Sequence, residues 1–149
     1  MRLIIFAFSL IGVQAAPAVI AQQHAHPTPA ATVGPVPAGG YTTDATLRQQ
    51  MRSIRTEVHG IADAQQRKTT QPVVQAASRI IDNVNTIIVN CKLPPDADAA
   101  LHAIIGPMLQ DASALKADPG KTGAVTGLRE ALAQYAEQFD DPDFSASAD

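Results

Sequence analysis

Apolar residues recur every three or four positions along four separate stretches of this chain, with polar residues between them. That period matches one face of an α-helix, so each stretch predicts an amphipathic helix. The first predicted helix runs from about Asp44 to Gln66, and Thr43 and Asp44 are residue types that cap helix N-termini. Its apolar face consists of Leu47, Met51, Ile54, Val58 and Ile61.

The second predicted helix begins near Thr70, with Pro72 in its first turn, where a missing N–H costs little. It ends before Pro94 and Pro95, since proline removes a hydrogen-bond donor and clashes with the preceding turn. Its apolar face is formed by Val73, Ala77, Ile80, Val84, Ile87 and Cys91, and it is widened by Val74, Ile81 and Ile88. This width predicts that the second helix is the most buried of the four.

The third predicted helix starts near Asp96, and its apolar period stays in phase across Gly106 and Pro107. We therefore expect a kink at that point and not a break. The fourth predicted helix follows a turn at residues 118–120, and nearby glycines weaken its beginning, where we expect fraying. The apolar residues are Leu101, Ile104, Ile105, Met108, Leu109, Ala112 and Leu115 in the third helix, and Val125, Leu128, Leu132, Tyr135 and Phe139 in the fourth.

Four amphipathic helices joined by short loops predict an all-α fold, an antiparallel up-down-up-down four-helix bundle, because short connections make neighbouring helices antiparallel. The bundle spans residues 44–139, a length that supports one hydrophobic core. Residues 22–43 are rich in Pro, Ala and Gly and show no apolar period, so we expect a disordered leader. Residues 140–149 are predicted to form an acidic tail.

The N-terminus has the three regions of a signal peptide. Arg2 provides a positive charge, Leu3–Val13 form an uncharged apolar segment, and small residues that favour cleavage follow. We predict a signal peptide of residues 1–21, cleaved after Ala21, because the composition turns polar there; cleavage after Ala15 is the alternative. A retained membrane anchor is a further alternative, although Gln14 interrupts its apolar run. The mature protein is expected in the periplasm or outside the cell.

Charge and motif content argue against several function classes. The chain has 11 Lys and Arg against 14 Asp and Glu, and removing one Arg with the signal peptide changes the formal charge from −3 to −4. A net negative domain offers no basic field for nucleic acid and no attraction to an anionic membrane, so we expect neither partner. The sequence has no nucleophile elbow, no phosphate-binding loop and no zinc-protease helix, and we therefore expect no enzyme.

One end of the predicted bundle collects soft metal ligands. The start of the first helix, the end of the second and the start of the third meet there, which brings Met51, Cys91 and His102 together. A thioether, a thiolate and an imidazole suit Cu(I), so these residues form a candidate copper site. Alternatively, Met51 and Cys91 fill apolar faces and His102 hydrogen-bonds Asp98 one turn earlier. Cys91 is the only cysteine, which excludes an intrachain disulfide.

A second candidate metal ligand is His24. If the mature chain begins Gln22-Gln23-His24, its amine, two amide nitrogens and the imidazole can enclose Cu(II) in a square plane. The alternative is an ordinary histidine in a disordered leader.

The predicted architecture resembles cytochrome b562, a family of exported four-helix bundles. That family binds haem non-covalently through a Met near the start of the first helix and a His near the end of the fourth. Met51, in the run Leu47-x-x-x-Met51, matches the first ligand position. Residues 131–136 contain no histidine, so His102 would have to substitute for the second ligand. The resemblance implies a haem-binding electron carrier.

A second resemblance covers most of residues 44–144. The run Asn-Cys-Lys-Leu-Pro-Pro-Asp-Ala-Asp-Ala-Ala-Leu-His at 90–102 and the run Phe-Asp-Asp-Pro-Asp-Phe at 139–144 are similar to segments of small, uncharacterised exported helical proteins of proteobacteria. This resemblance implies a periplasmic address and no particular activity.

Together these patterns predict an exported four-helix bundle that acts as a binding or accessory protein, with copper at the Met51, Cys91 and His102 end. Two other hypotheses stay open. One is the haem-binding electron carrier, and the other is a ligand-free interaction module that binds a partner protein or forms a homodimer through Cys91.

Overall fold

The computed structural model describes residues 35–145. The predicted signal peptide, His24 and the rest of the leader up to residue 34, and residues 146–149 lie outside this range. Five helices form within it, and none of these residues forms a β-strand. They are α1 (Ala45–Gln66), α2 (Thr70–Asn90), α3 (Pro95–Ala117), α4 (Thr122–Gln138) and the single turn α5 (Pro142–Ser145).

Helix α1 begins at the predicted place because Asp44 caps it. The Asp44 carboxylate accepts a hydrogen bond of 2.7 Å from the Leu47 amide, one of the donors that the first turn leaves without a partner. All five residues of the predicted apolar face are buried, so the helical phase is confirmed. His59 is exposed beside that face.

Helix α2 has a narrower buried face than the sequence predicts. Val74 and Ile81 are only half-buried, and Ile88 is 49% exposed. Each follows a buried residue directly, and a helix turns about 100° per residue, so each points to the flank and not to the core. The expectation that this helix is the most buried is wrong, since α2 has six buried residues and α3 has eight.

Helix α3 continues through Pro107, as its unbroken apolar period predicts. A proline inside a helix cannot donate to the carbonyl four residues earlier, here that of Ala103. Ala103 is exposed, so water can satisfy that carbonyl and the helix tolerates the lost bond.

Helix α4 approaches the Asp111 side chain of α3 closely at Gly127. A Cβ added at Gly127 would fall on the carboxylate of Asp111, which is half-buried between the two helices. Burial raises the pKa of Asp111, and the nearby charge of Lys121 acts in the opposite direction. A larger residue at position 127 would therefore require the Asp111 side chain to move. The predicted apolar face of α4, including Leu132 at 8% exposure, is buried.

Each long helix packs against the next one along the chain, and α1 also packs against α4 and α5. Connections of three or four residues join the long helices. Their apolar faces meet in one core, whose largest fully buried side chains include Leu47, Met51, Ile54, Ile80, Leu101, Ile104, Met108, Leu115 and Tyr135.

Among the described residues, no helix combines the length and apolar character needed to cross a membrane.

The packed part of the chain extends past both ends of the predicted bundle. Tyr41 is 4% exposed and Phe144 is 3% exposed, although the sequence suggests leader and tail there. The Tyr41 amide donates to the Gln138 carbonyl at 2.7 Å, and the Asp140 amide donates to the Tyr41 carbonyl at 2.8 Å. Gly40, at φ +86°, permits this approach, because a Cβ there would lie 2.9 Å from the Asp140 nitrogen.

Candidate functional site

The three predicted copper ligands occupy different environments. Met51 is fully buried in the core on α1. Cys91 is the half-buried residue that follows α2. His102, on α3, has a side chain that is 55% exposed.

Cys91 is bound to the cap of α1. Its thiol hydrogen-bonds the Asp44 carboxylate, which also accepts from the Lys92 amide at 2.7 Å and from Leu47. Burial and the Asp44 carboxylate together raise the pKa of Cys91 to about 12. Burial pushes the pKa of Asp44 upward, but its hydrogen bonds outweigh that effect and the net pKa is lowered. The thiol is therefore held in its protonated form and links the end of α2 to the start of α1.

Replacing Asp44 by asparagine is expected to speed alkylation of Cys91 at about pH 8 by several-fold to about tenfold. The substitution removes the charge that disfavours the thiolate and keeps one acceptor oxygen for the Leu47 amide, while the second oxygen, which accepts from Lys92, is replaced by an NH2 group. Because the folded pKa lies near 12 and the ordinary value is 9.0, the wild-type thiol gains reactivity only at high pH. Iodoacetamide rates between about pH 7 and 10 measure this.

The matched control is Asp98→Asn, since the charge of Asp98 is the last of the causes that raise the Cys91 pKa. It should change the alkylation rate less than Asp44→Asn does. Equal pH profiles for the wild type and Asp44→Asn would show that Asp44 does not control the thiol.

His102 makes the contact with Asp98 that helical spacing allows. Its Nδ1 lies 2.8 Å from the Asp98 carbonyl oxygen and 3.5 Å from the Asp98 carboxylate. A carbonyl oxygen only accepts, so Nδ1 carries the proton and donates.

The polar contacts of Cys91 and His102 go to Asp44 and to Asp98. Within residues 35–145, no three or more His, Cys, Asp and Glu side chains group so that they could hold a metal ion. Copper at these three residues stays a prediction, and His24 lies outside the described range.

A buried hydrogen bond that the sequence pattern does not predict connects the end of α4 to the segment that follows it. The hydroxyl of Tyr135, fully buried on α4, donates to the Asp141 carboxylate at 2.9 Å, and Asp141 is only 2% exposed. Asp141 also caps α5 by accepting from the Phe144 amide at 3.2 Å. Burial, then the hydrogen bond and charge of Asp141, raise the pKa of Tyr135. Asp141 directly before Pro142 is the sequence signal for this cap.

Aromatic rings pack around this hydrogen bond. The rings of Tyr135 and Phe139 stack at 5.1 Å, and the Phe144 ring meets Tyr135 edge-on at 4.9 Å. Tyr41 lies 5.5 Å from Phe139 between ring centroids. The cluster joins α4 to the segments that precede α1 and follow α4.

Three arginines on α1 contact the segments on either side of this aromatic cluster. Arg48 donates to the Thr43 carbonyl, and Arg52 lies 4.0 Å from the Asp143 carboxylate. Arg55 donates to the Phe144 carbonyl at 2.7 Å and lies 4.2 Å from the centroid of that ring. The spacing of four and three residues places all three on one side of the helix.

Two large apolar residues are exposed near the end of α2. Ile88 is 49% exposed and Val89 is 77% exposed. We call this adjacent pair the apolar step. The apolar step lies about one turn before Cys91, near the end of α2. Hydrogen bonds to Asp44 connect this end of α2 to the start of α1, and Leu93, just after Lys92, is half-buried.

Comparisons of the chain with protein-family models, with curated proteins and with solved structures found no match. The assignment of function therefore depends on the geometry of the chain itself.

Proposed function

We propose that the protein is an exported four-helix bundle, periplasmic or secreted, that acts as a binding module for another protein. The observation that carries this proposal is the apolar step at Ile88 and Val89. A large aliphatic side chain exposed to 77%, beside a second one, is a feature that a partner can cover.

The antiparallel up-down-up-down arrangement is supported by contacts at both ends of the helices. The Asp44 carboxylate before α1 accepts from Lys92, just after α2. At the other end, Gln65 near the end of α1 donates to Pro119 in the connection between α3 and α4 at 2.8 Å. These contacts fit neighbouring helices that run in opposite directions.

The partly or fully buried polar groups described above favour binding over catalysis. Asp44, Cys91, Tyr135 and Asp141 all bond one another or nearby backbone, and each bond joins two elements or caps a helix. Groups with such structural partners are not positioned to exchange protons with a substrate.

The proposal is tested by placing a photo-crosslinking amino acid at position 89 of the full chain in its native cell. A discrete adduct with one other protein is expected, since side chains at a binding surface lie within reach of the partner. The adduct should weaken when Ile88 is also replaced by serine.

The control position is Gln75, which is exposed on the same helix, about 21 Å away by the rise per residue. An equal adduct pattern at positions 75 and 89, or no adduct at 89, would contradict the proposal. An adduct that forms only with a second copy of this chain would show that the apolar step is a homodimer interface and not a site for another protein.

Export is supported by the signal-peptide pattern of residues 1–21. The intact mass of the protein released from the periplasm should correspond to a chain that begins at Gln22. A start at Ala16 would indicate the other cleavage site, and an uncleaved chain in the membrane fraction would contradict export.

A further inference from the structure

The chain after α4 folds back onto α1 and α4. We call residues 140–144 the C-terminal clasp. Its Phe144 ring is buried, with the Arg55 guanidinium 4.2 Å from its centroid and the Tyr135 ring against its edge. Arg55 also donates to the Phe144 carbonyl, and the Asp141 carboxylate accepts from Tyr135. Arg55 and Tyr135 thus bind the Phe144 ring, and Tyr135 also binds the Asp141 carboxylate.

Charge is complementary across this contact. The clasp contains Asp140, Asp141 and Asp143, and the facing side of α1 carries Arg48, Arg52 and Arg55. Opposite charges at an interface favour the correct partner and speed its approach. The surface under the clasp therefore suits an acidic segment.

The clasp does not satisfy every donor of that surface. Nη1 of Arg52 is buried and has no hydrogen-bond partner among the described residues. The Asp143 carboxylate oxygen lies 4.0 Å from it, beyond hydrogen-bonding distance. The Arg52 side chain as a whole is 41% exposed and pairs with Asp143 only at this distance, so a carboxylate that comes closer would add a charge-assisted hydrogen bond to Nη1.

We propose that the surface formed by Arg52, Arg55 and Tyr135 binds an acidic, phenylalanine-bearing segment of another protein, and that the C-terminal clasp is an autoinhibitory occupant. The clasp has one helical turn, and the rest of its chain leaves α4 after Phe139. A segment this short can open locally while the long helices stay folded. This binding site is separate from the apolar step, so it does not depend on whether the apolar step binds a partner.

The test measures binding of a fluorescein-labelled, C-terminally amidated peptide of residues 140–145 to the full mature chain by fluorescence anisotropy. Phe144→Ala removes the ring of the competing clasp and should bind the peptide at least about tenfold more tightly than the wild type, because the clasp competes at high effective concentration. Adding Arg55→Ala to Phe144→Ala should abolish that gain, and higher salt should weaken binding.

The peptide control carries alanine in place of its phenylalanine and should not bind. Equal affinity of Phe144→Ala and wild type, or equal binding of the two peptides, would overturn the proposal. A wild-type dimer that Phe144→Ala converts to a monomer would also overturn it, since the segment of a second copy would then be the occupant.

The wild-type chain gives a second measurement that does not depend on how the variants fold. Excess peptide should raise amide hydrogen exchange at Asp143 and Phe144, since a peptide in the site displaces the clasp, and leave the centre of α3 unchanged. Unchanged exchange in the clasp at peptide concentrations that bind would overturn the proposal.

Discussion

Replacing Ile80 by alanine is expected to destabilise the protein by about 2 to 5 kcal/mol, the range for large-to-small substitutions in a core. Ile80 lies in the middle of α2 and is fully buried. The substitution removes three carbons from contact with the core, and the surrounding helices collapse only partly onto the space. Urea unfolding followed by circular dichroism measures the loss.

The chain provides a matched control on the same helix. Ile88→Ala is the same chemical change at a side chain that is 49% exposed, so it should alter stability by less than about 0.5 kcal/mol. The higher helix propensity of alanine offsets part of any loss there. Similar losses for the two variants would show that the direction in which α2 faces the core is wrong.

Replacing Asp141 by alanine is expected to cost about 2 to 4 kcal/mol, because it removes a helix cap and leaves a buried donor without an acceptor. The donor is the hydroxyl of Tyr135, which is fully buried, and the lost cap is the bond to the Phe144 amide. The same variant should loosen the C-terminal clasp. Thermal unfolding and tyrosine fluorescence of the purified chain measure both effects.

Asp140→Ala is the control for this prediction, since its side chain is exposed directly beside Asp141, and it should change stability by less than about 0.5 kcal/mol. Adding Tyr135→Phe to Asp141→Ala should cost little more than Asp141→Ala alone, because the hydroxyl then has no partner to lose. Additive losses would show that the two side chains act independently.

The long helices could be predicted from the sequence because each repeats its signal over several turns. The predicted apolar faces that begin at Leu47 on α1 and at Val125 on α4 are buried along their whole length. Ile88 could not be placed, because an isoleucine one position past a buried residue gives the same pattern whether it faces a neighbouring helix or solvent.

The C-terminal clasp had no such signal. Five residues are too few to show a period, and the residues that hold the clasp come from distant parts of the chain, as in the bond from Arg55 to Phe144 across 89 positions. The grouping of Met51, Cys91 and His102 was inferred from the order of the helices alone. In the predicted bundle, that order gives the height of each residue along the helices but not the direction of its side chain. Nδ1 of His102 lies 2.8 Å from the Asp98 carbonyl oxygen.

The backbone bonds that pair Tyr41 with Gln138 and Asp140 bring the two ends of the helical unit side by side. A unit whose entry and exit points adjoin can be spliced into a surface loop of a host protein without stretching either chain. The same adjacency allows a peptide linker to join the ends and new termini to be cut elsewhere, for instance in the exposed connection between α1 and α2 at residues 67–69. The helical unit is therefore suited to transplantation as an insert, with the apolar step displayed from the host.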